Sequence, residues 1–160
     1  MSRFFASMAA CSLGIGCASS PVAPDPIPSI SMLRAAPTTA TLSGQTLRLM
    51  PYVYRDFQPL SPPDGRAMIA VLRVQTTDGS AFPTGVRVDS AWVLFGQEVW
   101  TAPVEETPAV QPRSPMGEWV IRNGPKWGPG VNVDVIVALR TSTGSTSLLR
   151  APDQLIQRTN

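Results

Sequence analysis

Val131-Asn132-Val133-Asp134-Val135-Ile136-Val137-Ala138-Leu139-Arg140-Thr141 is the stretch that decides the fold. Val131, Val133, Val135, Val137 and Leu139 recur at every second position, with Asn132, Asp134 and Arg140 between them. Successive side chains of a strand point to opposite faces, so this period of two sets an apolar row against a polar one. A half-buried strand over 131–141 follows.

Working outward, the same signal recurs between turn residues. Gln45 to Tyr54 is rich in Leu, Val and Tyr, and its Pro51, which cannot donate to a ladder, marks an edge strand or a bulge. Ala67 to Thr76 is a nearly continuous apolar run that ends at the Asp78-Gly79 turn. Val86 to Phe95 and Glu98 to Ala102 flank Gly96-Gln97, a pair able to close a tight hairpin with Gly at its first central position. Glu118 to Arg122 is a short strand, a Gly144-centred turn leads to Thr146 to Ala151, and Leu155 to Arg158 closes the series. No stretch carries a convincing helical period. The expected architecture is all-β: a single immunoglobulin-like antiparallel β-sandwich of about seven or eight strands over residues 39–160. Its inner layer is expected to take the Val131 to Leu139 row together with Ile69, Val71 and Trp92. Cys11 and Cys17 are the only cysteines and both precede the domain, so apolar burial must replace the inter-sheet disulfide of antibody domains.

The first residues read as an address. Arg3 precedes an apolar run from Phe4 to Ile15, too short for a spanning helix but the length of a signal-peptide core. Leu13-Gly14-Ile15-Gly16-Cys17 resembles the lipobox of bacterial lipoproteins, departing from the usual pattern in placing Leu four rather than three residues before the cysteine. Met8-Ala9-Ala10-Cys11 has better spacing but leaves a shorter apolar core, which favours Cys17. The resemblance implies a signal peptide over 1–16 and a diacylated Cys17 as the mature N-terminus, holding the protein to a membrane by lipid. Ala18, where Asp would favour retention at the inner membrane, implies an outer-membrane lipoprotein facing the periplasm of a Gram-negative cell envelope. The alternative is an ordinary secretory signal with Cys17 in the leader. Prolines at 21, 24, 26, 28 and 37 then make 17–38 an extended, Pro-rich tether.

Composition excludes several chemistries. The chain has no His, which removes the commonest general base and metal ligand. Without a cysteine beyond the candidate anchor, thiol catalysis and structural zinc fall away too. The carboxylates are scattered and none shows calcium-loop spacing. No cofactor or metal is expected, and no enzyme. Thirteen Lys and Arg against eleven Asp and Glu, without a basic cluster, lack the footprint of nucleic-acid binding.

Two segments look less like scaffold. Arg122-Asn123-Gly124-Pro125-Lys126-Trp127-Gly128-Pro129-Gly130 places Trp127 and the only lysine in a Gly/Pro excursion. Trp127 there is a candidate anchor for a partner, since aromatic and Arg residues dominate binding hot spots, or else it folds back to cap the sandwich. Tyr52 to Gly65 is an aromatic strand running into a Pro-rich loop. If loops 56–65 and 123–130 share one end, Arg55, Asp56, Lys126 and Trp127 form a partner-binding rim. The expected role is a non-enzymatic, lipid-anchored envelope protein, a binding or structural accessory to another protein. The alternatives are a soluble periplasmic inhibitor or chaperone-like domain, and a carbohydrate-binding sandwich suggested by Trp92, Trp100, Trp119 and Trp127, for which two or more of those tryptophans would have to be exposed in a line.

Overall fold

The computed structural model describes residues 28–106 and 113–160. The expected signal peptide and Cys17 lie outside the described residues.

Among the described residues, ten strands and one short helix account for the regular structure: α1 (Ile30–Arg34), β1 (Thr39–Leu42), β2 (Gln45–Asp56), β3 (Met68–Thr76), β4 (Arg87–Phe95), β5 (Glu98–Ala102), β6 (Glu105–Glu106), β7 (Met116–Gly124), β8 (Asn132–Arg140), β9 (Thr146–Leu155) and β10 (Gln157–Thr159). One sheet runs β1-β2-β3-β7-β6, with β10 pairing parallel to β2, and the other runs β5-β4-β8-β9. Every other pair is antiparallel. With β2, β3, β7 and β6 facing β5, β4, β8 and β9, the strand order is that of an immunoglobulin-type sandwich. The strands absent from the sequence reading are β1 and β6, both short and both at sheet edges.

The decisive row lies where it was expected. Val133, Val135, Val137 and Leu139 face Met68, Ala70, Leu72 and Val74 of the other sheet, all within the buried core. Pro51 is tolerated because β2 is an edge strand over that stretch. Its outer side is paired at 45–48 by β1 and at 54–56 by β10, and Pro51 falls in the gap between.

Two assignments are corrected. On β3 the inward residues are Met68, Ala70, Leu72 and Val74, while Ile69 and Val71 stand half-buried on the outer face. A run apolar at both parities does not declare which face is inside, and a slip of one residue inverts the choice. Trp92 is likewise outward. A register shift between Val88 and Ser90 breaks the alternation of β4, so Val88, Ala91 and Val93 enter the main core whereas Trp92 and Leu94 face away.

What covers Trp92 revises the tether. Residues 28–38 were expected to be part of an extended spacer, but Ser29 to Pro37 forms a strap over the outer face of the β5-β4-β8-β9 sheet. The Ser29 hydroxyl caps α1 by accepting from the Met32 amide at 3.3 Å. Leu33 and Ala36 are then buried against Trp92, Leu94, Ile136 and Ala138. A helix of five residues does not persist in water by itself, so this packing is what holds it. Arg34 donates to the Gly96 carbonyl and Arg150 donates its amide to the Pro37 carbonyl at 2.8 Å, fixing both ends of the strap. The strap also explains why Ile136 and Ala138 interrupt the polar row of β8.

Candidate functional site

Strand directions bring the β2–β3, β4–β5 and β7–β8 connections to one end of the sandwich, so loops 56–65 and 123–130 do share a rim. The first is closed by the Arg66 amide on the Asp56 carbonyl at 2.9 Å. Inside it, the Asp56 carboxylate accepts from the Gln58 amide at 2.9 Å. Gly65, at φ 74°, is required here, because a Cβ would fall 2.5 Å from the Phe57 ring. The second loop leaves β7 through Asn123 at φ 65° and contains a cis Gly128–Pro129 bond.

One side chain joins the two loops. Arg55 is only 3% exposed, and its guanidinium donates to four backbone carbonyls: Arg66 at 3.0 Å, Lys126 at 3.0 Å, Gly128 at 2.5 Å, and Asp64. Its five N–H donors in a rigid plane suit it to gather carbonyls from two separate turns. A buried charge is tolerated only with such compensation. Arg55 is therefore corrected from a rim contact to an internal clamp. Asp56, the next residue on the strand, points the opposite way. It approaches Arg66 at 3.7 Å and shapes the turn.

Trp127 is the cap of the sandwich. Half-buried, it packs on the main core, its ring 5.5 Å from that of Phe95, and its Nε1 donates to Glu98 Oε2 at 3.2 Å. Lys126 remains exposed at the rim, where its Nζ meets Asp64 Oδ2 at 2.6 Å. That hydrogen bond is the main cause holding the Asp64 carboxyl below its ordinary range. The tryptophans form no exposed row: Trp92 and Trp119 are buried, and Trp100 and Trp127 pack on the core.

A cleft of about 380 Å³ lies at the rim, and another of about 450 Å³ lies at the opposite end. The rim cleft is floored by Ala67 and Ile69, bounded by Pro62 and Gly65, and edged by Arg66, Arg122, Asn123 and Lys126. Among the described residues three cations line it and no carboxylate does. Each cation meets an acid outside the lining, Arg122 reaching Glu105 at 3.2 Å, Lys126 reaching Asp64 and Arg66 reaching Asp56. The Leu60 side chain stands 93% exposed on the same loop. Chemically the site can hold anionic groups along a partly apolar floor. The sequence leaves Arg122, Asn123 and Leu60 in the two loop segments without a role, Ile69 is expected in the inner layer instead, and Arg66 is missed, although it directly follows the loop that ends at Gly65. Among the described residues no group of three or more Asp, Glu, Cys or His lies together as a metal site.

Comparison of the chain with family models, with curated proteins and with solved structures yields no match.

Proposed function

We propose that this chain is a non-enzymatic, lipid-anchored envelope protein that binds a partner protein through the rim formed by loops 56–66 and 123–130. The observation that carries the reading is the Arg55 clamp. A buried guanidinium holding four carbonyls of two loops fixes the shape of an exposed surface in advance, which lowers the entropic cost of ordering loops on binding. The lipobox-like Leu13 to Cys17 supports attachment at a membrane, with the outer membrane and its periplasmic face as the proposed location. If Cys17 carries the lipid, the strap leaves only residues 18–27 as spacer, and these reach at most about 35 Å when fully extended. The domain and its rim would then work close to the bilayer, so the partner is sought there too.

The test joins both halves of the reading. The native protein is captured from detergent-solubilised envelopes after cross-linking, and its N-terminal peptide and co-purifying proteins are read by mass spectrometry. A diacylated Cys17, with cross-links from a stoichiometric partner to residues 58–66 or 122–127, is the expected result. An unmodified N-terminus, and release to the soluble fraction that is no different in Cys17→Ser, would refute the anchor. Cross-links confined to other faces would refute the rim.

A further inference from the structure

The rim cleft has a charge pattern that selects among partners. Arg66, Arg122 and Lys126 present cationic groups along its edge, while Asp56, Glu105 and Asp64 stand outside the lining. Each faces a different acid, Arg122 meeting Glu105 at 3.2 Å and Lys126 meeting Asp64 at 2.6 Å, while Arg66 donates to the Ser61 hydroxyl at 3.2 Å and lies 3.7 Å from Asp56. Cations paired with three separate acids around a cleft of about 380 Å³ suit several separate carboxylates better than one compact phosphate, which would draw the cations together. Between the cations the floor is apolar, with Ala67 and Ile69, and the exposed Leu60 rises on the bounding loop. Ile69 continues along β3 to Val71, whose cross-strand neighbours are Tyr52 and Val120 on the same outward face. Among the described residues no strap covers that face, unlike the outer face of the opposite sheet.

We infer that this cleft docks a segment of the partner in which acidic side chains alternate with apolar ones. The inference rests on the rim being the partner-binding surface and specifies the partner's chemistry. Arg66, Arg122 and Lys126 take the segment's carboxylates, exchanging Asp56, Glu105 and Asp64 for them, and Ala67 and Ile69 receive the apolar side chains. The exchange is feasible because the cations and two of the three acids are strongly exposed, and exposed ion pairs contribute little to stability. The internal acids thus act as place-holders that weaken binding of anything less acidic than themselves.

The experiment uses ¹⁵N-labelled full-length protein titrated with a blocked Glu-Leu-Glu-Leu peptide, its Gln-Leu-Gln-Leu counterpart and inorganic pyrophosphate. Expected are saturable amide shifts at residues 60–69 and 122–127 with the glutamate peptide, at least tenfold weaker binding of the glutamine peptide, and weakening as salt is raised. Arg66→Gln with Arg122→Gln should weaken binding at least tenfold. Glu105→Gln, which removes a place-holder, should tighten it about threefold, a gain that a purely structural role for these residues would not produce. Equal binding of both peptides, tighter binding of pyrophosphate, shifts centred on the opposite cleft at Arg87 and Arg140, or no saturation would each overturn the inference. The titration needs neither the lipid nor the native partner. A protein that proves unlipidated but binds the glutamate peptide loses only its proposed anchor, and one that captures a partner at the rim but ignores the peptide loses only this assignment.

Discussion

Replacing Arg55 with Met keeps an aliphatic stem of similar reach and removes every donor of the clamp. Hydrogen bonds to a charged group contribute about 1.5–3 kcal/mol each. Four such bonds would make the loss very large if all four carbonyls then remained dry. They do not all remain so. Asp64 and Lys126 are exposed residues, so water can reach their carbonyls, and Arg55 itself no longer bears the cost of being 3% exposed. The remaining deficit is that of the Arg66 and Gly128 carbonyls together with the loosened loops, about 3 kcal/mol. For a domain of this size that lowers the melting temperature by roughly 10 °C, with the fold retained. Arg55→Lys should recover less than half of the loss, because one ammonium cannot span both loops. Calorimetry gives the stability, and amide exchange gives its location. Protection should fall at Arg66, whose amide closes loop 56–66, and at Gly130, which donates to the Ile156 carbonyl, while Val135 and Leu72 change only with global stability. A melting temperature within about 2 °C of the parent, or exchange altered evenly across the core, would show that the two loops are not held by this side chain.

Three further outcomes are expected. Leu33→Ala should destabilise by about 2 kcal/mol, the lower end for a buried Leu because only the strap's docking is at stake, and should shift Trp92 fluorescence to longer wavelength as the outer sheet face hydrates; unchanged emission would place the strap elsewhere. Trp127→Ala should cost about 2 kcal/mol by exposing Phe95, as befits a half-buried cap, and an unaltered melting temperature would restore the partner-anchor reading. Asp64 is depressed by Lys126 and Asp78 by the Ser80 hydroxyl, so both titrate below the ordinary 3.8 when followed by NMR. Since the depressed value belongs to the folded state, their contribution is present above the unfolded value and lost as pH falls through the folded one, and Lys126→Met should return Asp64 alone to the ordinary range.

How much of this was legible in the sequence follows from the period of two. Where a strand alternates cleanly, as from Val131 to Leu139, both the element and its inward face are read correctly, and turn glycines place the ends. Where a run is apolar at every position, as in β3, the element is read and its face is not. The strap was hidden for a different reason. Ile30-Ser31-Met32-Leu33-Arg34 is too short to show a helical period, and the prolines around it suggest a spacer, so only the surplus of apolar residues on the outer side of β4 and β8 signalled that something must cover them.

The same alternation bears on the site. Arg55 and Asp56 are adjacent in a strand, so their side chains leave opposite faces and cannot both belong to one exposed rim. Asp56 opens a turn that solvent reaches, which leaves Arg55 to point inward, where a guanidinium persists only if many acceptors surround it. The turns that follow Asp56 and Gly124 supply those acceptors, since the carbonyls of a tight turn have few partners within the turn itself. A lone Arg one residue before the end of a strand, followed by a Gly/Pro loop, thus predicts a clamp rather than a contact. The residues left facing outward at the same end, Arg66, Arg122 and Lys126, are the ones that the proposed docking turns from their own acids to a partner's.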